Sequence, residues 1–246
     1  MGSEARAAHL RASVDWASDY GAMPLALDPL TSVELARAWL RDASLEHASI
    51  ASFARFTLQA LALGAPADLV ARAQLAGLDE VAQARLCFTL ASRYAETPIG
   101  PGVFPMEGVL GSCTLAEAAA ASVREGCVGE TLAALQARLQ LEHAEDPDVR
   151  MALQRIADDE ARHAELAWRF VRWALAQGDR SVHVAVEHAF RESLARVQTE
   201  ALRSQPAVDL ATWRAHGRLT VAQERACQLD AAREVIEPCL RTLLDA

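Results

Sequence analysis

The chain has few aromatic residues, which make up only 5% of its 246 positions. Hydrophobic residues nevertheless account for 52%, and alanine and leucine dominate among them. Small and straight-chain side chains suit close-packed helices better than a sheet of β-branched and aromatic residues. The composition therefore predicts an all-α protein with a substantial hydrophobic core.

The sequence also lacks any cluster of basic residues. Its formal net charge is −9 and its isoelectric point is about 5.3. A nucleic-acid-binding protein usually presents a basic face or stripe. We therefore expect no nucleic-acid partner.

Cysteine patterns typical of disulfide or zinc frameworks are absent. The chain has an odd number of cysteines, and no two form a C-x-x-C pair: Cys87, Cys113, Cys127, Cys227 and Cys239. This usage favours a reducing compartment. No charged segment followed by an apolar run marks a signal peptide, and no uncharged run reaches the ~18 residues of a membrane span. We expect a cytoplasmic protein without a membrane partner.

Capping signals and helix breakers divide the central chain into four predicted helices. Capping-box spacing occurs at Thr31–Glu34 and again at Thr114–Glu117. Gly64 suits the left-handed end of the first helix, Pro66 suits the first position of the second, and Asp146-Pro147 suits the start of the fourth. The predicted helices cover about residues 32–63, 66–95, 114–145 and 147–177, and Gly178 ends the last of them.

The lengths of the connections predict how these helices pair. Helices one and two are joined by a short turn, and so are helices three and four, so each pair is expected to be antiparallel. The middle connection contains the proline- and glycine-rich residues 97–112 and is long enough to travel the length of a bundle. This is the connectivity of a ferritin-like four-helix bundle with one long crossover. A functional lid is a compatible interpretation of the same segment.

The flanking segments are predicted to be additions to this bundle. Residues 1–30 form an N-terminal arm with one short helix, and residues 31–178 form the bundle. Residues 179–246 form a helical extension packed on the bundle. This extension begins with a helix over 181–204, has a further capping box at Thr220–Gln223, and is broken or kinked at Pro238.

Two nonapeptides within the predicted helices nearly repeat each other. They are LDEVAQARL at residues 78–86 and DDEARHAEL at residues 158–166. Each places a glutamate three residues before a possible ligand, which gives the pairs Glu80…Gln83 and Glu160…His163. Residues three apart lie on one face of a helix. The second copy is a complete Glu-x-x-His motif, and the first has Gln in place of His.

Four glutamates lie near the midpoints of the four predicted helices: Glu46, Glu80, Glu130 and Glu160. In an antiparallel bundle the midpoints meet, and the neighbours on each glutamate's face are mostly small and apolar. Ionised carboxylates in such an interior are unfavourable unless their charge is compensated. Carboxylate and imidazole ligands suit iron or manganese. The alternative that involves no metal is that each glutamate is exposed to solvent or paired with a residue four positions away on the same helix.

With these residues in place, the chain resembles the ferritin-like superfamily of carboxylate-bridged di-metal proteins over about residues 32–177. The family pattern is Glu, Glu-x-x-His, Glu, Glu-x-x-His on successive helices. The resemblance implies that Glu80 and Glu160 bridge the ions. It also implies a cofactor of one or two iron ions, with manganese as the alternative. The implied metal ligands are Glu46, Glu80, Gln83, Glu130, Glu160 and His163.

Gln83 departs from the family pattern and leaves three interpretations open. Its neutral carbonyl oxygen could ligate one ion weakly. The site could instead hold a single ion through Glu130, Glu160, His163 and one further carboxylate. The third interpretation is a scaffold that has lost its metal, in which Gln83 supplies hydrogen bonds to the acids.

Other polar residues near the predicted site have more ordinary expected roles. His47 follows Glu46 by one position and should face away from it. Cys87 and Cys127 lie on the site's face, where small buried apolar residues are the favoured interpretation. A metal-binding histidine needs a hydrogen-bond acceptor to fix its tautomer, and the candidates for His163 are Asp79, Asp158 and Asp159.

Three functions are compatible with this sequence. The first is an O₂-dependent oxidoreductase with a di-iron-type centre that acts on a small organic substrate. The second is an iron-binding or ferroxidase protein, although both terminal extensions would hinder the packing of a storage cage. The third is a metal-free bundle with a binding or structural role. We favour the enzyme, and a homodimer remains open.

Overall fold

The computed structural model describes residues 7–17, 27–106, 111, 113–199, 201 and 204–245. Within these residues the protein is predominantly helical, which confirms the predicted all-α class. Helix α1 (Pro29–Ala62) is followed by α2 (Ala67–Ala95). The next helical rod consists of α3 (Leu115–Ser122), a π-helical segment (Val123–Glu130) and α4 (Thr131–His143), and α5 (Pro147–Gln177) follows it.

The C-terminal part of the chain is also helical. It comprises α6 (Arg180–Thr199), α7 (Leu210–Ala215), α8 (Val221–Ala231), a π-helical turn (Ala232–Ile236) and α9 (Glu237–Leu244). Pro238 lies in the first turn of α9, directly after the π-helical turn, where a missing backbone N–H is tolerated. Among the described residues, no helix combines the length and the apolar character needed to cross a lipid bilayer.

Most helix ends follow the predicted capping chemistry. The capping boxes at Thr114 and Thr220 are formed, the side chain of Asp146 caps α5, and Gly64 has a φ of 71°. The predicted box at Thr31 was wrong. The side chain of Asp28 caps α1 by accepting a hydrogen bond from the backbone of Thr31, and Pro29 opens the helix. An aspartate followed by proline is a strong start signal, so the helix begins one turn earlier.

The third predicted helix is interrupted by the π-helical segment Val123–Glu130. Such segments are rare and often occur at functional sites. Glu130, one of the four central glutamates, is its last residue. The segment packs against α5 so closely that a Cβ built on Gly126 would lie 2.2 Å from the Cβ of Ala167.

The long helices pack side by side in pairs. α1 lies along α2, and the rod of α3, the π-helical segment and α4 lies along α5. α2 also contacts α5, and α6 packs against α3. Large apolar side chains such as Trp39, Phe88, Phe170 and Phe190 are fully buried between these elements. These contacts bring α2 and α5, which carry the two nonapeptides, into direct contact.

Two short strands tie the N-terminal arm to the long connection after α2. β1 (Leu10–Ala12) pairs in antiparallel fashion with β2 (Ile99–Pro101), and Leu10 lies opposite Pro101. The sequence did not predict these strands. The described residues 7–17 contain no helix. The remainder of the segment expected to hold a short helix includes residues 18–26, which lie outside the described residues.

The segment between α7 and α8 reaches back to α1 and α2. The hydroxyl of Tyr94 lies 2.7 Å from Nδ1 of His216. The guanidinium of Arg218 donates to Asp42 at 2.6 Å and lies over the ring of Trp39. The C-terminal extension is therefore joined to the long helices by partly buried polar contacts as well as by apolar packing.

Candidate metal centre

Three of the sequence-predicted ligands converge in the interior. Glu80 on α2 meets Glu160 and His163 on α5, and each is at most 2% exposed. One ligand atom from each residue can be chosen so that all three lie within 4.8 Å of one another. This group could hold a metal ion.

The two ring nitrogens of His163 face different partners. Nδ1 lies 3.2 Å from Oε1 of Glu80 and 3.8 Å from Oε1 of Glu160. Nε2 lies 3.5 Å from Oδ2 of Asp79. Nδ1 is therefore the nitrogen that faces the other candidate ligands, and Nε2 faces an acceptor able to fix the tautomer. Of the three aspartates predicted for that role, Asp79 contacts the ring.

Five of the six side-chain polar atoms of this group lack hydrogen-bond partners among the described residues. They are Oε2 of Glu80, both carboxylate oxygens of Glu160 and both ring nitrogens of His163. Buried polar atoms are normally paired, because an unpaired one loses its hydration without compensation. The orphaned atoms are carboxylate oxygens and imidazole nitrogens, which are the ligand types that iron and manganese accept. The residues thus fit the predicted metal.

The other two central glutamates complete the acidic layer. Glu46 and Glu130 are partly buried, and none of the four glutamates is exposed. Burial, followed by the charges of Glu80 and Glu160, raises the pKa of Glu46 well above its usual value. Burial and the neighbouring charge of Glu160 do the same for the pKa of Glu130. The pKa of Glu80 is raised to about 9, chiefly by burial and then by Glu160.

The raised pKa values indicate that these buried carboxylates ionise less readily unless a positive charge lies nearby. Glu46 lies within hydrogen-bonding reach of Glu80, and Glu130 lies within reach of Glu160. Two ionised carboxylates cannot hydrogen-bond to each other because both only accept. The layer therefore holds either protons or a cation.

Gln83 is completely buried beside the same layer. Its Nε2 lies 3.5 Å from Oδ2 of Asp159, and its Oε1 has no partner among the described residues. The amide thus directs its donor at an aspartate and leaves a neutral oxygen unsatisfied. That oxygen is the atom that, in one interpretation of the sequence, ligates one metal ion weakly.

Two arginines of α5 neutralise the aspartates behind the candidate ligands. Arg162 contacts both Asp79 and Asp159. Arg155 donates to Asp159 at 3.2 Å and lies 3.8 Å from Asp79. The arginines are about half exposed, so this network forms the solvent side of the site. It places the aspartates where they can accept hydrogen bonds from His163 and Gln83.

The remaining sequence candidates lie apart from the ligand group. His47 packs edge-on against Trp16 and faces Phe104. Cys87 and Cys127 are buried thiols, and burial raises the pKa of each well above its usual value. Neither thiol belongs to the group of convergent ligand atoms found among the described residues.

A cavity of about 270 Å³ opens beside the layer, between α1, the rod of α3 and the π-helical segment, and α5. Glu130 and His163 form part of its wall, together with the apolar residues Phe53, Phe56 and Leu166. Its size is near the lower limit for small-molecule sites, which is about 300 Å³. The candidate ligands are therefore reachable by a small molecule from one side.

Several residues of the site had no sequence signal of their own. The ring of Phe53 lies 4.9 Å from that of His163, and Arg55 lines the cavity. Arg155 and Arg162 had the appearance of ordinary surface residues of an amphipathic helix. Their spacing around Asp159, four residues after Arg155 and three before Arg162, could have indicated an interaction with that aspartate.

Comparisons of this chain with protein-family models, with curated proteins and with solved structures found no match. Its own residues thus define it as an all-α protein with a buried carboxylate and imidazole group that could hold a metal ion.

Proposed function

We propose that this protein is a ferritin-like non-haem metalloprotein that binds iron, with manganese as the alternative, and acts as an O₂-dependent oxidoreductase on a small organic substrate. The observation that carries the proposal is the set of orphaned, buried ligand atoms on Glu80, Glu160 and His163. Without a cation, these buried acids would have to keep protons at neutral pH, and both ring nitrogens of His163 would have no hydrogen-bond partner among the described residues, which is unfavourable.

The order and pairing of the helices support the ferritin-like part of the proposal. α1 pairs with α2 across a short turn, and the rod ending at His143 pairs with α5 across another. The connection between the two pairs is long, because α2 ends at Ala95 and α3 begins at Leu115. Each of the four long helical segments contributes one glutamate to the acidic layer, as in di-metal bundles.

The residues support one complete ion position and one weaker one. Glu80, Glu130, Glu160 and His163 would hold the first ion. Glu46 and Gln83, together with Glu80 and Glu160, would hold the second. The unsatisfied Oε1 of Gln83 supports a weak neutral ligand more than a lost site. A neutral amide oxygen is a weaker ligand for iron than an imidazole nitrogen, so the second position should be filled less readily.

When bound, iron supplies the redox chemistry that dioxygen reduction requires. The protein's own residues supply the setting for it. The acidic layer balances the charge, Asp79 faces Nε2 of His163 and orients its imidazole, and the ring of Phe53 packs against that imidazole. The cavity beside Glu130 and His163 provides the path and the space for an organic substrate.

The cavity favours an enzyme over an iron-storage protein. A storage site needs a path for hydrated cations, whereas this wall includes two phenylalanines, a leucine and several alanines. Size-exclusion chromatography separates these functions, because storage requires assembly into a shell. The metal-free alternative is separated from both by the metal content.

The test is the metal content of protein purified from iron-supplemented cells, followed by O₂ consumption after loading with ferrous iron. We expect iron in the wild type, and loss of most of it in His163→Gln and Glu160→Gln. His188→Gln and Glu187→Gln are matched controls because both residues are exposed on α6. Wild-type protein without metal, or His163→Gln protein with full metal content, would contradict the proposal.

A further inference from the structure

The cavity beside the candidate metal centre is elongated along α1. Its lining runs from Ser49 to Gln59 on α1 and from Ala118 to Glu130 on the facing rod. Ten residues of α-helix correspond to about 15 Å. Glu130 and His163 lie where the cavity meets the acidic layer. Arg55 lies nine residues after Glu46, about 13 Å along the helix from that layer.

The wall between these points is largely apolar. Phe53, Phe56, Ala121 and Leu166 supply most of its large surfaces, and a few serine hydroxyls interrupt it. Such a wall favours a ligand with a hydrocarbon body. The groups that fix its orientation are then the charged side chains of the wall, which are Arg55, Glu125 and Glu130.

Arg55 is the only arginine or lysine among the described residues that line the cavity. Its Nη2 donates to both carboxylate oxygens of Glu125, at 2.8 and 2.6 Å. Its Nε is buried and has no hydrogen-bond partner among the described residues. The guanidinium therefore meets the cavity through the part of the side chain that also binds Glu125.

The ion pair with Glu125 does not remove Arg55 from consideration as a ligand anchor. The two side chains are 29% and 52% exposed, and ion pairs at such exposure are weak. A guanidinium presents several donors in a planar fork and commonly binds carboxylates through two of them. A ligand carboxylate can thus take the place of the Glu125 carboxylate on the guanidinium while Glu125 moves toward solvent.

We propose that the cavity binds a small monocarboxylate with an apolar body. Its carboxylate is held by Arg55, and its hydrocarbon end lies beside Glu130 and His163. This orientation keeps the ligand's negative charge away from the acidic layer. The identification of this ligand as the substrate, with its hydrocarbon end as the reacting end, rests on the proposed function. The binding itself does not.

The test uses octanoate and two analogues of the same length, octanamide and octylamine. Binding is measured by titration calorimetry on the protein as purified, with its metal content determined in parallel. We expect octanoate to bind at least about tenfold more tightly than octanamide, because the charge-assisted contact to Arg55 is lost in the amide. Octylamine should bind most weakly.

Two variants of the Arg55–Glu125 ion pair should change the affinity for octanoate in opposite directions. Arg55→Gln should weaken octanoate binding about tenfold and leave octanamide binding unchanged. Glu125→Gln should strengthen octanoate binding, because it removes a competing carboxylate. A misfolded variant cannot reproduce that gain. Arg37→Gln is the matched control, since Arg37 is exposed and pairs only with Glu34 among the described residues.

Equal binding of octanoate and octanamide, or unchanged octanoate binding in Arg55→Gln, would overturn the inference. A failure of the proposed function gives a different result, namely carboxylate-selective binding to a protein that takes up no metal. Tight binding of octylamine would show instead that Glu125 or the acidic layer selects the ligand.

Discussion

Asp159 on α5 contacts the amide of Gln83 on α2 at 3.5 Å. The same distance separates Asp79 on α2 from Nε2 of His163 on α5. Each aspartate immediately precedes the glutamate of its own nonapeptide and contacts the ligand-position residue of the other. The two repeats are thus related by a local twofold arrangement, and the position of Gln83 already has the acceptor that an imidazole would need.

The first prediction follows from that arrangement. Gln83→His should increase the metal content toward two ions per chain, because a second imidazole would replace a neutral amide oxygen. Asp159 should accept a hydrogen bond from the new ring and fix its tautomer. Elemental analysis of wild type and variant, purified in parallel from iron-supplemented cells, measures the change.

Gln83→Leu is the matched control, since it keeps the approximate volume and removes the oxygen. It should bind no more metal than the wild type. If the wild type already carries two ions per chain, Gln83 is an adequate ligand, and the interpretation of a weakened second position is wrong.

The second prediction concerns the pH dependence of stability without metal. The folded-state pKa of Glu80 is about 9, compared with 4.5 for the unperturbed group, and those of Glu46 and Glu130 are also raised well above 4.5. A group with a raised folded-state pKa contributes stability that is complete below its unfolded pKa and is lost as the pH rises toward its folded pKa. Chelator-treated protein should therefore become less stable as the pH rises from about 4.5 to about 9.

Urea unfolding at several pH values, with and without added Mn²⁺, measures this effect. Bound cation should remove most of the loss, because it replaces the protons. Glu80→Gln should show a shallower pH dependence than wild type without metal, whatever its absolute stability. A flat pH profile in the wild type would show that these acids are hydrated rather than buried in a dry layer.

The sequence was sufficient to predict the site's helices because its information is local there. The nonapeptides, Gly64, Thr114 and Asp146 all act within one or two helical turns, and the structure places them as expected. Glu80, Glu160 and His163 follow from spacing once the helices pair. Thr31 failed as a cap because a stronger capping residue, Asp28, preceded it.

Features that depend on contacts between distant segments could not be predicted. The pairing of β1 with β2 joins residues about ninety positions apart and leaves no periodic signal. The π-helical segment depends on packing against α5, and the exposure of Arg55 in a cavity depends on three separate helices. Spacing along one helix specifies its faces but does not specify the neighbour that each face meets.

The third prediction concerns the buried ion pair at the end of α2. Arg93 donates to Asp146 at 2.8 Å, and each side chain is only 4% exposed. Arg93→Met should destabilise the protein by about 3–5 kcal/mol, because it leaves the carboxylate of Asp146 buried without its partner. Arg37→Gln, which breaks an exposed pair with Glu34, should change stability by less than about 1 kcal/mol. The free energy of unfolding from urea titration tests both, and equal effects would show that Asp146 is hydrated in the variant.

The fourth prediction compares two glycines in helical segments. A Cβ at Gly126 would lie 2.2 Å from the Cβ of Ala167, and both atoms are fixed to backbone, so α5 and the π-helical segment would have to separate. Gly126→Ala should therefore cost about 1–3 kcal/mol of stability. A Cβ at Gly77 would lie 3.6 Å from that of Phe53, an ordinary contact, so Gly77→Ala should stabilise α2 by about 0.5–1 kcal/mol through helix propensity. Thermal and urea unfolding measure both changes.

Because Gly126 lines the cavity and Ala167 lies one turn after His163, Gly126→Ala should also lower the metal content, whereas Gly77→Ala should leave it unchanged. A Gly126→Ala protein as stable as wild type would show that the close packing against α5 is not required for the fold.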